Sequence, residues 1–560
     1  MATAQAIASK LIQRDETLRS LRSDYERLWQ DIANHVIPRR GEFTEKESSG
    51  AERNRHIYDS TAPRALELFA SQLMMLLARP ESQWFRLEAV DDKGVPRRDI
   101  SVEGSQWLEN AEKQMRAVLT SRPSDLSIQL HTNFLDLAAF GTTVLYVDAD
   151  DRGAVRTQAI HLSEVTFEED PYGNPSTVYR RKKMTPAQAI QAFPNEDPDA
   201  VVKNFERMAK DNPDRDICFL HVVFPLDGSM PAIEDQLPRD ARERARMADA
   251  PFASVWINSD DHRVVKAGHY QEMPYIISRW YRTGGYGNEG VRQYGRSPAM
   301  TVLPDIRMVN RMDQTILRGA EKLVDPPLML PDGGLVSPVR LFPGGLTFSD
   351  GAVTPQPMIP PGASRIDVGD ALLQQKQQAI RDGFFISLMM TPDSPVKTAT
   401  QVLQEVDERN RALAPMLIRQ QTELMEPLVQ RVYGLLSRGN AFPAPPAELD
   451  GRPVRVSFVS ALSSSAKQEE ALGTTRIIEA LLPWAQVDPG VLDGFDPDEV
   501  AKTVHAGSGA PAAVLRPERV VKRVREQRAQ QQRQAEQLDQ LTNAIEAGAK
   551  VAAATGERSR

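Results

Sequence analysis

Two helical stretches of similar length, separated by a proline- and glycine-rich excursion, constrain this chain more than any other feature. The first sets Ile306, Val309, Met312, Ile316, Ala320 and Leu323 on one face, at the three- and four-residue steps of an amphipathic helix. The second runs from about Ile366 to Leu388 and carries a polar patch, Gln374-Gln375-Lys376-Gln377-Gln378. Residues 326–362 hold many Pro and Gly, with short strand-like pieces such as Val339-Arg340-Leu341-Phe342, so the chain leaves one helix, wanders, and returns along the other. Thr391-Pro392-Asp393-Ser394-Pro395 then breaks the chain before its longest helix, roughly 398–438. Val402, Leu413, Leu424 and Leu435 recur there every eleven residues, a spacing close to that of a straight helix. Pro415 and Pro427 lie inside it and predict kinks, each costing about 3 kcal/mol unless neighbours compensate.

The rest of the chain alternates between helical and β-rich patterns. Ile7, Leu11, Leu18, Leu21, Tyr25, Leu28, Ile32 and Val36 predict one long helix over 4–37, stopped by Pro38 and Gly41. A second follows Tyr58-Asp59-Ser60-Thr61, where a hydroxyl can cap and Pro63 fits the first turn; it runs to Pro80. Helices are also predicted over 102–121 and 125–140. Residues 142–281 then alternate in the strand period, with short helices at 185–193 and 197–210. Beyond the long helix come a strand, Val454 to Val459, helices near 465–483 and 497–505, and a basic, Gln-rich helix over 517–548. The fold class is α+β, predominantly helical. At 560 residues the chain predicts about three or four modules.

Recognisable reactive chemistry is scarce. The net charge of −8 argues against a tight non-specific DNA binder, yet permits a surface that DNA passes without being held. Cys218 is the single cysteine, which excludes an intramolecular disulfide and a Cys-based zinc cluster; its apolar flanks predict a buried place in a strand. The densest apolar run, Leu66 to Ala78, is interrupted by Glu67, Ser71 and Gln72 and falls short of the about 20 residues a membrane span needs. With no signal peptide recognised, the expectation is a protein made in a cytoplasm and not in a membrane. No G-x-x-x-x-G-K-[ST] phosphate cradle and no H-E-x-x-H spacing occurs. Asp148, Asp150 and Asp151 before Gly153 resemble half a calcium loop, but Ala159 stands where its Glu would be needed, so a hairpin turn is expected. Glu168-Glu169-Asp170 reads as a solvated strand end, His35 as a packed or surface residue, and Gly284-Gly285-Tyr286-Gly287 as a loop. The expectation is a non-enzymatic protein with no cofactor and no metal.

Several strings, taken together and in order, resemble a known family. Trp29-Gln-Asp-Ile-Ala-Asn-His-Val-Ile-Pro38, Ile57-Tyr-Asp-Ser-Thr-Ala62, Leu73 to Leu77 and Trp84-Phe85 look like the opening of podoviral, T7-like head-to-tail connectors, the portal proteins. Tyr294-Gly-Arg-Ser-Pro298, Leu303-Pro-Asp-Ile-Arg307, Asn310, Pro326-Pro327 and Thr398-Ala-Thr400 resemble their central part. The matches span about residues 25 to 440, and Ser460 to Ala466 departs most from the family pattern.

That resemblance implies a homo-oligomer, a dodecameric ring around a double-stranded DNA channel at one vertex of the virion. Wing, stem, clip, tunnel loop and crown would fall at 1–297 (with the β-rich insertion 142–281), 298–323 and 365–388, 324–364, 389–399 and 454–516. The kinked helix and wing return would take 400–453, and 517–560 would be a terminal helix, a barrel or a disordered tail. Implied partners are a terminase ATPase, tail adaptor and tail tube proteins, capsid and scaffolding protein. Lys376, Arg381 and Lys397 are candidates for DNA backbone contact, with ion pairs between subunits as the competing reading. Met389, Met390, Thr391, Pro392, Asp393, Ser394 and Pro395 would narrow the channel or simply join two helices. Asp332, Val339, Arg340 and Phe342 are docking candidates in the clip. Other phage structural roles (capsid, scaffold, tail) and a DNA-acting nuclease or translocase are the alternatives.

Overall fold

The N-terminal periodicity resolves into two helices rather than one, α1 (Ala2–Leu21) and α2 (Ser23–Val36), because the chain bends at Arg22. At this break the Arg22 side chain is buried and donates to the carbonyls of Leu162, Ser163 and Val165. In this computed structural model the described residues are 2–45, 48, 50–79, 83–91, 97, 100–150, 152–193, 203–228, 250–282, 293–324, 328–329, 356–357, 366–389, 411–449, 454–458, 461–485, 490, 493–508, 514, 516 and 520–534. They fall into two units, Met1–Ser82 with Leu119–Leu435 and Gln83–Val118 with Leu436–Arg560.

In the first unit, α3 (Thr61–Leu77) is followed, after the part of the chain that belongs to the second unit, by α5 (Leu126–Phe140). The segment between them contributes β1 (Phe85–Ala89) and α4 (Val102–Leu119). The cap of α3 is not the predicted hydroxyl: Ser60 makes no side-chain cap, and the Asp59 carboxylate accepts both the Thr61 N–H and its hydroxyl. Next come β2 (Thr142–Ala149), β3 (Val155–Ile160), β4 (Val165–Glu169) and β5 (Pro175–Met184), then α6 (Pro186–Ala192) and α7 (Lys203–Asp211). β6 (Ile217–Pro225), β7 (Phe252–Asn258), β8 (Arg263–Tyr270), β9 (Tyr275–Arg279), β10 (Tyr281–Arg282) and β11 (Gly295–Arg296) complete the β-rich part.

Strands β4 to β8 form an antiparallel sheet in chain order. The steps of three, four and seven in α1 put Ile7, Leu11 and Leu18 on one face, which packs on Leu220, Val222, Phe224 and Val255. The opposite face of the sheet receives α6 and α7 through Phe193, Phe205, Ile217 and Phe219. β6 is therefore covered on both sides, and its sequence is almost continuously apolar for that reason. Cys218 lies in this strand but is only half-buried. Each fully buried Leu, Ile or Phe here contributes about 1.5–3 kcal/mol.

A second sheet has the order β3-β2-β9. The free edge of β9 is covered by side chains: Gln420 donates to the Arg279 carbonyl at 2.8 Å and accepts from Ser278, while Glu423 accepts the Arg279 N–H at 2.9 Å. These two residues belong to a helix over 411–438 whose register widens to π over Gln421–Met425, immediately ahead of Pro427. Pro427 has no N–H to give and would clash with the carbonyl four residues back, so the local distortion expected for this proline takes the form of a wide turn.

Helices α8 (Pro298–Val324) and α9 (Ile366–Gly383) follow β11, with the short α10 (Ile386–Met389) after them. Between α8 and α9 the described residues include the small ladder β12 (Leu328–Met329) with β13 (Gln356–Pro357). Calling the 411–438 helix α11, the second unit adds α12 (Ala461–Ala485) and α13 (Pro497–Ser508), and it pairs β1 with β14 (Val454–Phe458). There Glu112 of α4, 4% exposed, accepts the Leu87 N–H at 2.7 Å and a Gln83 amide proton. Burial lifts its carboxyl to about 7. Among the described residues no helix is long and apolar enough to cross a membrane.

Candidate functional site

The strings singled out in the sequence converge on the base of the α8–α9 pair. Trp29 is fully buried, donates its indole N–H to the Phe140 carbonyl at 3.2 Å, and meets Tyr294 edge-on at 5.1 Å. Tyr294 also packs against Tyr25 and Phe167. Gly141 ends α5 with φ +75, and a Cβ there would stand 2.5 Å from the Gly295 oxygen. Glycine at 141 is thus required twice, by its left-handed backbone and by the strand lying on it. Ser297 then caps α8: its hydroxyl accepts the Met300 N–H at 2.9 Å and donates to the Ala139 carbonyl at 2.8 Å, with Pro298 in the first turn.

More than three turns up α8, Asn310 holds the segment before α3. Its carbonyl oxygen accepts the N–H groups of Tyr58 and Asp59, and its amide donates to the His56 carbonyl. Gln314 reaches the Tyr58 hydroxyl at 2.8 Å, and Arg307 pairs with Asp31 of α2. Asp59 accepts from Gln377 of α9 at 2.6 Å, so one carboxylate caps α3 and clips α9. Burial and the neighbouring Asp59 raise the pKa of Asp313. The two long helices approach closely at Gly383, where any Cβ would collide with Val302.

Charges around this base are consumed internally. Arg279, nearly fully buried, pairs with Glu169 and with Glu423. Arg40 clasps buried Asp136, and Arg431 bridges Asp148 and Glu272. The predicted solvated strand end is therefore corrected: Glu168 pairs with Arg14 at 2.7 Å and accepts from the Tyr179 hydroxyl, and Glu169 pairs with Arg279. Asp150 caps the β2–β3 hairpin by accepting the Arg152 and Ala154 N–H groups. His35 sits 3.4 Å from Asp31, and burial lowers its pKa. Among the described residues no group of three or more His, Cys, Asp or Glu side chains is placed to hold a metal.

The candidate residues divide. Lys376 pairs with Asp305 of the same chain at 2.8 Å, and both side chains stay partly exposed. Arg381 is exposed and makes no ion pair among the described residues. The glutamine patch splits as a helix must split it: Gln377 turns inward to Asp59, whereas Gln374, Gln375 and Gln378 stay exposed. Met389, expected in a loop, ends α10 and is 4% exposed, because α10 packs on α3. Met390, Thr391, Pro392, Asp393, Ser394, Pro395, Lys397, Asp332, Val339, Arg340 and Phe342 lie outside the described residues, as does Gly284-Gly285-Tyr286-Gly287. Sequence reasoning missed Arg22, Arg279 and Arg431. An arginine within an apolar-periodic or strand segment was the available signal.

The chain has relatives among known proteins over nearly its whole length. The model of the family described as "Bacteriophage head to tail connecting protein" matches residues 8–515. The "Probable portal protein" of Bordetella phage BPP-1 is 27% identical over 528 residues, covering 93% of this chain and 90% of that protein. The "Portal protein" of Salmonella phage epsilon15 is 25% identical over 544 residues, covering 94% and 92%. A chain from a structure titled "Virion of native gene transfer agent (GTA) particle" overlays at TM-score 0.35 with 10% identity, covering 78% of this chain and 92% of that one, too loosely to carry an argument.

Proposed function

The chain belongs to the bacteriophage head to tail connecting protein family, and from that premise we propose that it is the portal subunit of a phage, assembling into a ring whose bore passes the genome. The observation that carries the reading is the antiparallel α8–α9 pair, clipped midway along its length by the family-like strings and flanking residues 325–365 in the sequence. In this reading the pair is the stem, 324–364 is the clip presented to a terminase ATPase and then to tail adaptors, and 389–399 is the tunnel loop.

The chain would serve as conduit rather than motor. Its sequence offers no P-loop, so the packaging force comes from the docked ATPase. A bore with few fixed cations suits transit, because each phosphate contact adds friction as well as affinity. Lys376, Arg381 and Lys397 are the backbone-contact candidates, Lys376 from a partly exposed pair with Asp305. Twelve copies are the expected number. Negative-stain imaging of the purified protein tests the proposal: rings with a central hole support it, whereas shells, rods or monomers alone reject it.

A further inference from the structure

The α8–α9 pair has two outer edges that no other described element covers, and their chemistry is complementary. On α8, Val302, Asp305 and Ile316 turn toward α9, where they meet Gly383, Lys376 and Gly369. The adjoining sector is taken by Arg307, Asn310 and Gln314, bonded to Asp31, His56 and Tyr58. At about 100° per residue the sector facing away from α9 holds Pro304, Arg311, Thr315 and Arg318, and all four are exposed. Neither Arg311 nor Arg318 makes an ion pair among the described residues. On α9 the edge away from α8 carries exposed Ala371, Gln374, Gln375 and Gln378. At its margin stands Asp370, whose carboxylate meets Gln374 at 3.2 Å and no cation among the described residues.

The two edges also match in height. Because Val302 lies by Gly383 and Ile316 by Gly369, the helices are antiparallel, with Arg311 level with Gln374 and Thr315 level with Asp370 and Ala371. Arg311 and Arg318 stand roughly 10 Å apart along the axis at 1.5 Å per residue. Rotation about an axis parallel to the pair preserves height, and so brings Asp370 of one copy between the two arginines of the next, with Gln374 beside Arg311. We propose that the Arg311–Arg318 edge of α8 docks on the Asp370–Gln374–Gln378 edge of α9 in a second copy of this chain. The contact is heterologous, so each copy uses one edge on each side, the kind of interface that makes a ring when its rotation closes. The proposal rests on the ring reading above and assigns its seam.

Disulfide trapping tests it. In a Cys218→Ser background, Thr315→Cys with Ala371→Cys sets one thiol on each edge, too far apart to join within one chain across the α8–α9 pair. Mild oxidation is expected to convert the monomer band into a ladder of dimers, trimers and higher species that reduction collapses. Either cysteine alone should give no ladder. Rings in the microscope without a ladder overturn the seam and leave the ring reading standing; a protein that never forms rings overturns the ring reading and the seam with it. As a second arm, Arg311→Glu with Arg318→Glu should abolish rings while the circular dichroism spectrum is retained, and adding Asp370→Lys and Gln374→Lys in the same chain should restore them. Unchanged ring yield in the arginine variant overturns the proposal.

Discussion

The base around Tyr294 and the outer edges of the α8–α9 pair handle charge in opposite ways. At the base, Arg22, Arg40 and Arg279 are each turned inward and satisfied by carboxylates or carbonyls of the same chain. On the edges, Arg311, Arg318 and Asp370 are exposed and find no oppositely charged partner among the described residues. A buried arginine left unpaired is costly, so the base must complete itself. An exposed one costs nothing to leave open, and such groups are free for a second molecule. The difference separates what makes the subunit from what is available to join it to others.

The contrast fails if the base tolerates change. Trp29→Ala removes a fully buried ring with an indole hydrogen bond and should cost about 4 kcal/mol, read as a shift in the urea midpoint. Arg279→Met strands Glu169 and Glu423 and should cost about 3 kcal/mol, the low end for a broken buried pair because both partners keep some solvent. A midpoint within error of wild type for either would place the base among dispensable contacts.

Glu112 supplies the opposite case, a buried carboxylate held by N–H donors and by no ion pair among the described residues. Its folded carboxyl titrates near 7 against an ordinary 4.5, so the folded state holds the proton more tightly than the unfolded one. Its contribution is therefore most favourable below about 4.5 and is lost as pH rises through about 7, a swing of about 3 kcal/mol at most. Urea melts of wild type and Glu112→Gln at acid and neutral pH should diverge in that direction, and parallel pH profiles would refute it.

Smaller effects sharpen the same division. Ser297→Ala loses the α8 cap and should cost about 1 kcal/mol. Lys376→Gln breaks a half-exposed pair and should cost about 0.5 kcal/mol by thermal melt. A large drop in DNA retention by assembled rings of that variant, with stability unchanged, would place Lys376 in the bore; unchanged retention would remove it.

Much of this was legible because it depends on periodicity. The α8 stripe, the bracketing of 326–362 and the strand-rich stretch from 142 to 281 follow from apolar spacing and turn residues. Asn310 and Tyr294 were singled out in their strings, but their tasks were not, since both act on backbone and rings far away in the sequence. The bend at Arg22 was illegible for a related reason: the carbonyls that hold its side chain lie at 162–165. The burial of Met389, expected in a loop, was missed because the contact with α3 that buries it is also distant. In the glutamine patch the residue types were visible, but which of them face inward is set by helix phase against Asp59.

The wide turn at Gln421–Met425 inserts one residue into what sequence spacing treats as an unbroken helix. Past it the buried row slips by a place: Leu413 and Leu424 are inside, yet further on Leu436 is buried while Leu435 is only half so. The eleven-residue rhythm is thus two shorter phrases out of step by about 100°. Gln420 and Glu423 pin the junction to β9, so the two halves of this helix can be tuned separately by selection, one face of each without disturbing the other.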